Sequence, residues 1–105
     1  MEFIEAPLFT KYVLDYLSEE EYAAFQWKLA TSPKTGDLIP RSGGLRKIRW
    51  GSKGKGKSGG VRIIYYYLDK RHQIHLLTIY NKSDVTNISG PILKKIKEEL
   101  MNNDK

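Results

Sequence analysis

Near the N-terminus, apolar residues recur at the three- and four-residue spacing that places side chains on one face of a helix. Phe3 and Ile4 precede this pattern and are predicted to form a short opening strand. Pro7 suits the first turn of a helix, where its missing N–H costs no hydrogen bond. A first helix is therefore predicted behind Pro7, with the periodic apolar positions Leu8, Phe9, Tyr12, Val13, Tyr16 and Leu17.

A second helix is indicated by the residues that follow. Ser18 precedes Glu21 by three positions, which is the spacing of a capping box that satisfies backbone N–H groups at a helix start. Pro33 closes the pattern, so we predict a helix from about Glu19 to Thr31. The two helices are expected to form a hairpin that covers a sheet. The residues of the second helix that should point inward are Tyr22, Phe25 and Leu29.

The pattern then changes to short runs rich in β-branched and aromatic residues, which favour strands. Leu45–Trp50, Val61–Leu68 and Ile74–Tyr80 are predicted to be three strands. A glycine- and lysine-rich loop, Gly51–Gly60, joins the first two, and a short turn joins the last two. This order predicts an antiparallel meander.

A C-terminal amphipathic helix completes the predicted fold. Pro91 stands at its start, and the apolar residues that follow at helical spacing are Ile92, Leu93, Ile96 and Leu100. The expected fold class is α+β, with an N-terminal helical hairpin packed on a small antiparallel β-sheet and a C-terminal helix. With 105 residues, the chain is expected to be one domain that spans residues 1–105.

The composition excludes several classes of protein and site. There is no cysteine, which excludes disulfide scaffolds, thiolate zinc sites and cysteine nucleophiles. No apolar run approaches the roughly 20 residues that a membrane span requires, and the N-terminus lacks the features of a signal peptide. We therefore expect a cytoplasmic protein that has no membrane partner.

Positive charge is concentrated in the middle third of the chain. Residues 1–37 carry three basic and seven acidic side chains, residues 38–68 carry eight basic and no acidic ones, and residues 69–105 carry seven basic and five acidic ones. The differences of −4, +8 and +2 sum to the net charge of +6. Such a basic segment indicates a site for a polyanion. The alternative is a basic surface that only aids solubility, although solubilising surfaces usually mix both signs.

Four cations of this segment fall on predicted strands, and three of them, Lys47, Arg49 and Arg62, are candidates for one common site. Lys47 and Arg49 are two positions apart, so their side chains are expected to share one face. Arg62 opens an otherwise apolar strand, where a charge must be paired or must line a cleft. The sequence leaves both possibilities open. Arg62 forms a salt bridge in the core, or the three cations converge on a scissile phosphate and stabilise its charge in the transition state.

RNA is the more economical substrate for such a cleft. Cleavage by the RNA's own 2′-hydroxyl needs only a base, an acid and charge stabilisation, and DNA lacks that nucleophile. His72 and His75 have no third ligand pattern nearby, and the acidic residues are not clustered, so no metal and no cofactor are expected. Residues 51–58 match a phosphate-binding P-loop pattern, but a strand is predicted where that motif requires a helix, so we reject this interpretation.

Four segments occur in an order that is typical of one family of small toxins. They are GDLIP at 36–40, GGLRKIRW at 43–50, KSGGVRIIYYY at 57–67 and LTIYNK at 77–82. Together they resemble the HigB branch of the RelE-type toxins, and the resemblance runs from about Phe3 to the C-terminal helix. It implies a small α+β fold with helices against an antiparallel sheet.

The same resemblance implies a function and partners. A protein of this family is the toxin of a type II toxin–antitoxin system and a ribosome-dependent, metal-independent mRNA endonuclease that inhibits translation. Its expected partners are the ribosome, mRNA and a cognate HigA-type antitoxin, which in this branch commonly carries a helix-turn-helix. The toxin alone is expected to be a monomer.

The resemblance also suggests roles for individual residues. Lys47 and Arg49 are expected to position and polarise the phosphate, and Arg62 to stabilise the pentavalent transition state. Lys82 is expected to assist proton transfer or binding. Better-studied RelE members use a tyrosine near the C-terminus, whereas Ser89 stands roughly at that place here. The residues expected to bind RNA are Arg46, Lys53, Lys55, Lys57, Tyr66 and Tyr80, and either tyrosine is a candidate substitute for the missing one.

Two other functions compete with the endonuclease hypothesis. The first is a non-catalytic RNA- or ribosome-binding module, which the basic loop favours equally. The second is a DNA-binding regulator. No predicted helix is strongly basic on one face with a turn-linked partner, so the sequence gives little support to reading of the DNA major groove.

Overall fold

The computed structural model describes residues 1–51, 60–81 and 90–103. In these ranges the chain forms one sheet, three α-helices, and a short 3₁₀ helix at Asp69–Arg71. The fold is therefore mixed α+β, as predicted. The elements are β1 (Glu2–Glu5), α1 (Pro7–Tyr16), α2 (Glu19–Thr31), β2 (Asp37–Leu38), β3 (Leu45–Trp50), β4 (Val61–Leu68), β5 (Gln73–Asn81) and α3 (Gly90–Asn103). The strand order in the sheet is β1-β5-β4-β3-β2.

The sheet confirms one prediction and corrects another. β3, β4 and β5 pair in antiparallel fashion, which confirms the meander. The prediction of a wholly antiparallel sheet is wrong, because β1 pairs in parallel with β5, with Phe3 opposite Ile74. A parallel pair needs a long connection rather than a tight turn, and the chain between β1 and β5 supplies one. The two-residue strand β2 was not predicted, because so short an element carries no periodicity.

Helices α1 and α2 share the main apolar core with the sheet. Glu21 N–H donates to Ser18 Oγ at 3.1 Å, and Ser18 N–H donates to the Glu21 carboxylate at 2.8 Å, which confirms the capping box of α2. Phe25 and Leu29 are fully buried, whereas Tyr22 is half-buried. The buried cluster contains Phe9, Val13, Leu17, Phe25, Leu29, Val61, Ile63, Tyr65, Ile74, Leu76 and Ile79.

A second, smaller apolar cluster lies on the opposite face of the sheet. Successive strand residues point to opposite faces, so Ile64 belongs to this cluster while Ile63 belongs to the main core. Helix α3 contributes Leu93, which packs against this face. The buried members of the cluster are Leu45, Ile64, Leu77, Tyr80 and Leu93.

Helix α3 begins at Gly90, one residue before Pro91, where the sequence predicts it. Its Lys97 Nζ lies 4.2 Å from the centroid of the Tyr66 ring and donates a hydrogen bond to the Gly43 carbonyl at 2.9 Å. These contacts tie the helix to the turn that precedes β3. Across the described ranges, none of the helices combines the length and the apolar character needed to cross a membrane.

Candidate nucleic-acid interface

Three strand cations share the α3 face of the sheet. Arg49 on β3 stands directly opposite Arg62 on β4, and Lys47 stands opposite Ile64 two pairs further along, on the same face. On the other side of β4, Tyr80 of β5 is the partner of Arg62. Directly opposed residues project to the same face of a sheet, so the register confirms the predicted common face of these cations. Arg49, Arg62 and Tyr80 thus lie side by side across three strands, and we call these two arginines and the neighbouring tyrosine the cation row.

Arg62 is the unusual member of this row. Its side chain is only 7 % exposed, and its Nη1 is buried without a hydrogen-bond partner among the described residues. A buried donor that lacks a partner costs about 1–3 kcal/mol, and more when it is charged. Arg49 directly opposite adds a like charge, which is also destabilising. Both costs fall when an anion binds between the two guanidinium groups.

Tyr80 supplies a neutral donor beside the two arginines. It is 8 % exposed, and burial raises the pKa of its phenol, while the charge of Arg62 opposes that rise. The phenol is therefore protonated at neutral pH, so it donates a hydrogen bond or a proton and does not act as a base. The meander predicts that β4 pairs with β5, but the position of Tyr80 opposite Arg62 was not predicted, because the register of the two strands is not visible in either strand alone.

Tyr66 lies on the same face of the sheet as Tyr80 but at a distance from Arg62. It is four residues from Arg62 along β4, which corresponds to about 13 Å. Its ring contacts Lys97 of α3, as described above, and a Cβ on Gly44 would lie 3.2 Å from it. The structure therefore places Tyr66 under the helix and Tyr80 beside Arg62.

A cleft of about 440 Å³ adjoins the cation row. The β2 strand and the turn after it form one wall, the start of α3 forms the other, and β3, β4 and β5 form the floor. Asp37 and Arg41 line it, and neither was predicted as a site residue, since their place depends on the register of β2. The other lining residues are Leu38, Ile39, Pro40, Lys47, Ile64, Tyr80, Gly90 and Leu93.

The turn after β2 is tightly held. Ser42 is fully buried, and its hydroxyl donates to the Ile39 carbonyl at 2.6 Å and accepts from the Leu45 N–H at 3.0 Å. Gly43 and Gly44 have φ values of +75° and +98°, and a residue with a side chain would be strained at either position. Arg41 adopts a φ of +58°, which is uncommon for a residue with a side chain. Non-glycine residues in this region concentrate at functional sites.

Arg46, which was expected to bind RNA, does not lie on the same face of the sheet as the cation row. Its neighbours Lys47 and Leu45 face α3, and Arg46 itself points to the other side of the sheet. Its Nη1 donates to the carbonyls of Lys34 and Gly36 at 3.1 and 2.7 Å. The guanidinium therefore holds the segment that leads into β2.

Tyr65 supports the same segment. Its hydroxyl accepts from the Gly36 N–H and donates to the Pro33 carbonyl, both at 2.9 Å. Burial raises the pKa of this phenol, while the Gly36 N–H and the charge of Arg46 oppose the rise. A Cβ on Gly36 would lie 2.9 Å from the Tyr65 ring, so only glycine fits there. Arg46 and Tyr65 together fix where β2 begins.

Several predicted site residues lie outside the described residues. They are Lys53, Lys55, Lys57 and Lys82, together with Ser89. The structure also argues against the P-loop interpretation of residues 51–58. That motif requires a helix directly after the loop, whereas the chain here enters the strand β4 at Val61. In residues 1–51, 60–81 and 90–103 no group of three His, Asp or Glu side chains is arranged to hold a metal ion.

Comparison with known proteins identifies the fold. No known protein-family model matches this chain. The structure is similar to the toxin of the intact E. coli RelBE toxin–antitoxin complex, with 16 % identity, a TM-score of 0.57 and coverage of 74 % of this chain and 92 % of that one. It is also similar to an arginine-to-alanine double mutant of E. coli RelE in the free state, with 15 % identity, a TM-score of 0.58 and coverage of 81 % and 86 %. The isolated E. coli RelE toxin matches at 16 % identity and a TM-score of 0.55, over 76 % of this chain and 82 % of that one. The chain therefore has the fold of a RelE-type toxin.

Proposed function

We propose that this protein is the toxin of a type II toxin–antitoxin system, in the HigB branch, and that it cuts mRNA on the translating ribosome. The observation that carries the proposal is the buried Nη1 of Arg62, which has no hydrogen-bond partner in residues 1–51, 60–81 and 90–103, with Arg49 directly opposite. Two opposed cations at a cleft are unfavourable until an anion binds, and a phosphodiester is such an anion. The RelE fold adds support from an independent direction.

Cleavage in this proposal uses the RNA's own nucleophile. The 2′-hydroxyl attacks the adjacent phosphorus, the bond from phosphorus to O5′ breaks, and the products are a 2′,3′-cyclic phosphate and a 5′-hydroxyl. Arg62 stabilises the charge of the pentavalent transition state, and Lys47 and Arg49 position and polarise the phosphate. Tyr80 remains protonated and donates to the phosphate or to the leaving O5′. Lys82, outside the described residues, assists proton transfer or binding.

We propose that the reaction is independent of metal ions. Metal-assisted phosphoryl transfer is built on carboxylates that bind the metal, and the metal then stabilises the phosphate. Here, guanidinium and ammonium groups take the positions next to the phosphate. The lysines of the loop, Lys53, Lys55 and Lys57, hold RNA phosphates at a distance from the reacting bond.

The proposed partners follow from this reaction. The substrate is mRNA in a cytoplasmic ribosome, and the free toxin is a monomer. A cognate antitoxin neutralises it, in keeping with the RelBE toxin–antitoxin complex among the similar structures. We propose that this antitoxin is HigA-type and carries a helix-turn-helix.

The test is primer extension on an mRNA in a purified translation system. We compare the wild type, Arg62→Ala and Arg71→Ala. Arg71 is an exposed arginine at the opposite end of β4, so its variant matches the loss of one positive charge without touching the cleft. Arg62→Ala is expected to reduce the rate of cleavage about 10²–10³-fold or more, because it removes a donor to the transition state. Arg71→Ala is expected to cut like the wild type.

Two further measurements distinguish the endonuclease from a non-catalytic ribosome-binding module. Naked mRNA with EDTA should not be cut, whereas ribosome-bound mRNA should be cut in the presence of a chelator that leaves the ribosome intact. Sedimentation with ribosomes reports binding separately. A wild-type protein that sediments with ribosomes and makes no cut would favour the non-catalytic ribosome-binding module. Cuts that persist in Arg62→Ala would contradict the assigned site.

A further inference from the structure

We propose that Arg46 and Tyr65, which lie on the face of the sheet turned away from the cation row, are positioning residues for the cleft. They act through β2, which belongs to one wall of the cleft. The inference rests on the proposed function and deepens it, because it names two residues outside the cleft on which cleavage depends. It draws on their hydrogen bonds to residues 33–36, on the shortness of β2, and on the contacts at the other end of the wall.

The wall of the cleft is built on a very short strand. β2 contains only Asp37 and Leu38, and it pairs with β3 at the edge of the sheet. Strands in globular proteins usually contain about three to ten residues, because each further residue adds ladder hydrogen bonds. Two ladder pairs are a weak hold on a chain segment. The position of this wall therefore depends on side chains that bind the chain next to β2.

Arg46 and Tyr65 bind the chain immediately before β2. They stand directly opposite each other on β3 and β4. Arg46 Nη1 donates to the carbonyls of Lys34 and Gly36, and the Tyr65 hydroxyl accepts from the Gly36 N–H. The same hydroxyl donates to the Pro33 carbonyl. These four hydrogen bonds fix the point at which the chain enters the sheet.

The point of entry decides which side chains of β2 face the cleft. Asp37 stands directly opposite Lys47, and both residues line the cleft. Side chains alternate along a strand, so a slip of one residue would turn Asp37 to the other face and give Lys47 a different neighbour. Lys47 is one of the residues that the proposed function assigns to the phosphate. Its setting therefore depends on the register of β2, and through it on Arg46 and Tyr65.

The other end of the wall is fixed as well. The Ser42 hydroxyl donates to the Ile39 carbonyl and accepts from the Leu45 N–H, and the Ile39 N–H donates to the Leu45 carbonyl at 2.9 Å. Between the two fixed ends, Arg41 lines the cleft at a φ of +58°. Such a conformation persists only where the surrounding structure imposes it. Release of the end held by the two side chains would let Arg41 relax and move relative to the cleft.

A role in stability alone is the competing explanation. Arg46 and Tyr65 satisfy backbone groups, so their loss destabilises the fold whether or not the cleft depends on them. That explanation predicts that the folded fraction of each variant cuts at the wild-type rate. The positioning role predicts that fully folded variants cut more slowly although they bind the ribosome as tightly as the wild type does.

The first experiment uses two tyrosines of β4 as a matched pair. Tyr65→Phe removes a buried hydroxyl and no charge, whereas Tyr67→Phe removes a hydroxyl that donates to Asp69 on the same face of the strand. Cleavage in the translation system is measured against protein concentration, at a temperature where circular dichroism shows each protein to be folded. Tyr65→Phe is expected to lower the rate at saturation about tenfold or more, because small displacements of catalytic groups reduce rates strongly. Its half-saturating concentration and all constants of Tyr67→Phe should equal those of the wild type.

Variants of Arg46 add a test by rescue. Arg46→Met removes the donor to the carbonyls of Lys34 and Gly36 and should slow cleavage at least as much as Tyr65→Phe does. Arg46→Lys keeps the charge and an ammonium group with three donors, so it should recover most of the rate. Val13→Ala, in the buried core of α1, lowers stability and leaves these hydrogen bonds intact, so its folded form should cut like the wild type.

The second experiment reports on the wall without any cleavage. Inorganic phosphate is titrated into the ¹⁵N-labelled full chain of the wild type, Tyr65→Phe and Tyr67→Phe, and its binding is followed through the amide resonances. In Tyr65→Phe we expect the amides of residues 37–41 to be shifted before phosphate is added. We also expect this variant to bind phosphate about threefold to tenfold more weakly than the wild type and Tyr67→Phe do.

The two experiments separate this inference from the proposed function. Wild-type cleavage and wild-type phosphate affinity in Tyr65→Phe overturn the inference, and so does an equal loss of rate in folded Val13→Ala. Shifted amides and weaker phosphate binding in Tyr65→Phe, with no cut made even by the wild type, uphold the positioning role and reject the endonuclease. Cleavage that requires Arg62 and is indifferent to Arg46 and Tyr65 does the reverse.

Discussion

The two faces of the sheet are built on different principles. The face toward α1 and α2 carries the main apolar core, and its polar side chains bond to nearby backbone, as Tyr65 does with Gly36 and Pro33. The face toward α3 carries a smaller apolar cluster and the cation row, where Arg62 Nη1 lacks a partner within the described residues. One face therefore satisfies its polar groups with nearby backbone, whereas the other leaves a buried guanidinium nitrogen that the proposed function assigns to a charged ligand.

Two arginines show the difference most directly. Arg46 and Arg62 lie on neighbouring strands and on opposite faces of the sheet. The guanidinium of Arg46 donates to two backbone carbonyls, whereas that of Arg62 is buried and its Nη1 meets no partner in the part of the chain that the structure describes. Residue type alone therefore does not identify a functional cation. The partners that the fold supplies decide whether a charge is structural or is available to a ligand.

The largest effect on stability is expected from the α1–α2 face. Phe25 is fully buried, and its ring meets that of Trp50 edge-on, with centroids 5.4 Å apart. Phe25→Ala should lower the free energy of unfolding by about 3–5 kcal/mol, because it leaves a cavity in the main core. Leu93→Ala, in the smaller cluster, should cost less. Urea denaturation of both variants measures the difference.

Trp27 provides the control for this comparison. It is 71 % exposed on α2, two residues from Phe25, so Trp27→Ala removes an aromatic side chain of similar kind from the surface. It should change stability by no more than about 0.5 kcal/mol. A larger loss in Leu93→Ala than in Phe25→Ala would reverse the assignment of the main core.

The second prediction uses the two arginines as a matched pair. Arg62→Met keeps an unbranched side chain and removes the unpartnered charge, so it should raise the free energy of unfolding by about 1–3 kcal/mol while it abolishes cleavage. Arg46→Met removes the donor to two carbonyls and should lower stability by about 1–3 kcal/mol. Denaturation curves of the two variants, recorded beside the wild type, give the two signs directly.

Opposite signs for one substitution on neighbouring strands would confirm the contrast between the faces. A loss of stability in Arg62→Met comparable to that in Arg46→Met would mean that Arg62 holds the fold together, and the idea of a face left open for an anion would then fail. The cleavage assay of the same proteins shows whether a gain in stability is accompanied by a loss of activity, as is common at functional sites.

Much of the fold was predictable because its signals are local. The capping box and Pro33 bound α2 at the predicted residues, and the β-branched runs gave β3 and β4 with their observed limits. The parallel pairing of β1 with β5 was not predictable, because nothing near Phe3 encodes a partner 71 residues away. Short β2 likewise has no local signal, and it becomes a strand only by pairing with β3.

The placement of the candidate site residues on the sheet was predictable only in part. Strand alternation placed Lys47, Arg49 and Arg62 on one face, since that argument needs only the strands themselves. The same alternation puts Arg46 on the other face, yet its bonds to Lys34 and Gly36 depend on how the chain returns to the sheet. Tyr80 and Asp37 required the register with β5 and β2, which the sequence pattern does not contain.

The smallest effects are expected in two phenols, one on each face. Burial raises the pKa of Tyr65 and of Tyr80 above the ordinary value of about 10, and in each case a neighbouring arginine opposes the rise. A phenol whose pKa is higher in the folded state contributes stability that is fully present below about pH 10 and is lost as the pH rises through the folded value. The free energy of unfolding should therefore fall above pH 10.

The identity of the opposing arginine makes the two phenols a test of the two faces. Arg62→Met should raise the pKa of Tyr80 and leave that of Tyr65 unchanged, because only Tyr80 feels the charge of Arg62. Arg46→Met should do the reverse. Alkaline titration of ¹³C-labelled tyrosine rings by NMR follows each phenol separately, with Tyr65→Phe and Tyr80→Phe to assign the signals. If either arginine variant shifted both phenols equally, the charges of the two faces would be coupled through the sheet, and the separation into a stabilising face and a ligand-binding face would lose its electrostatic basis.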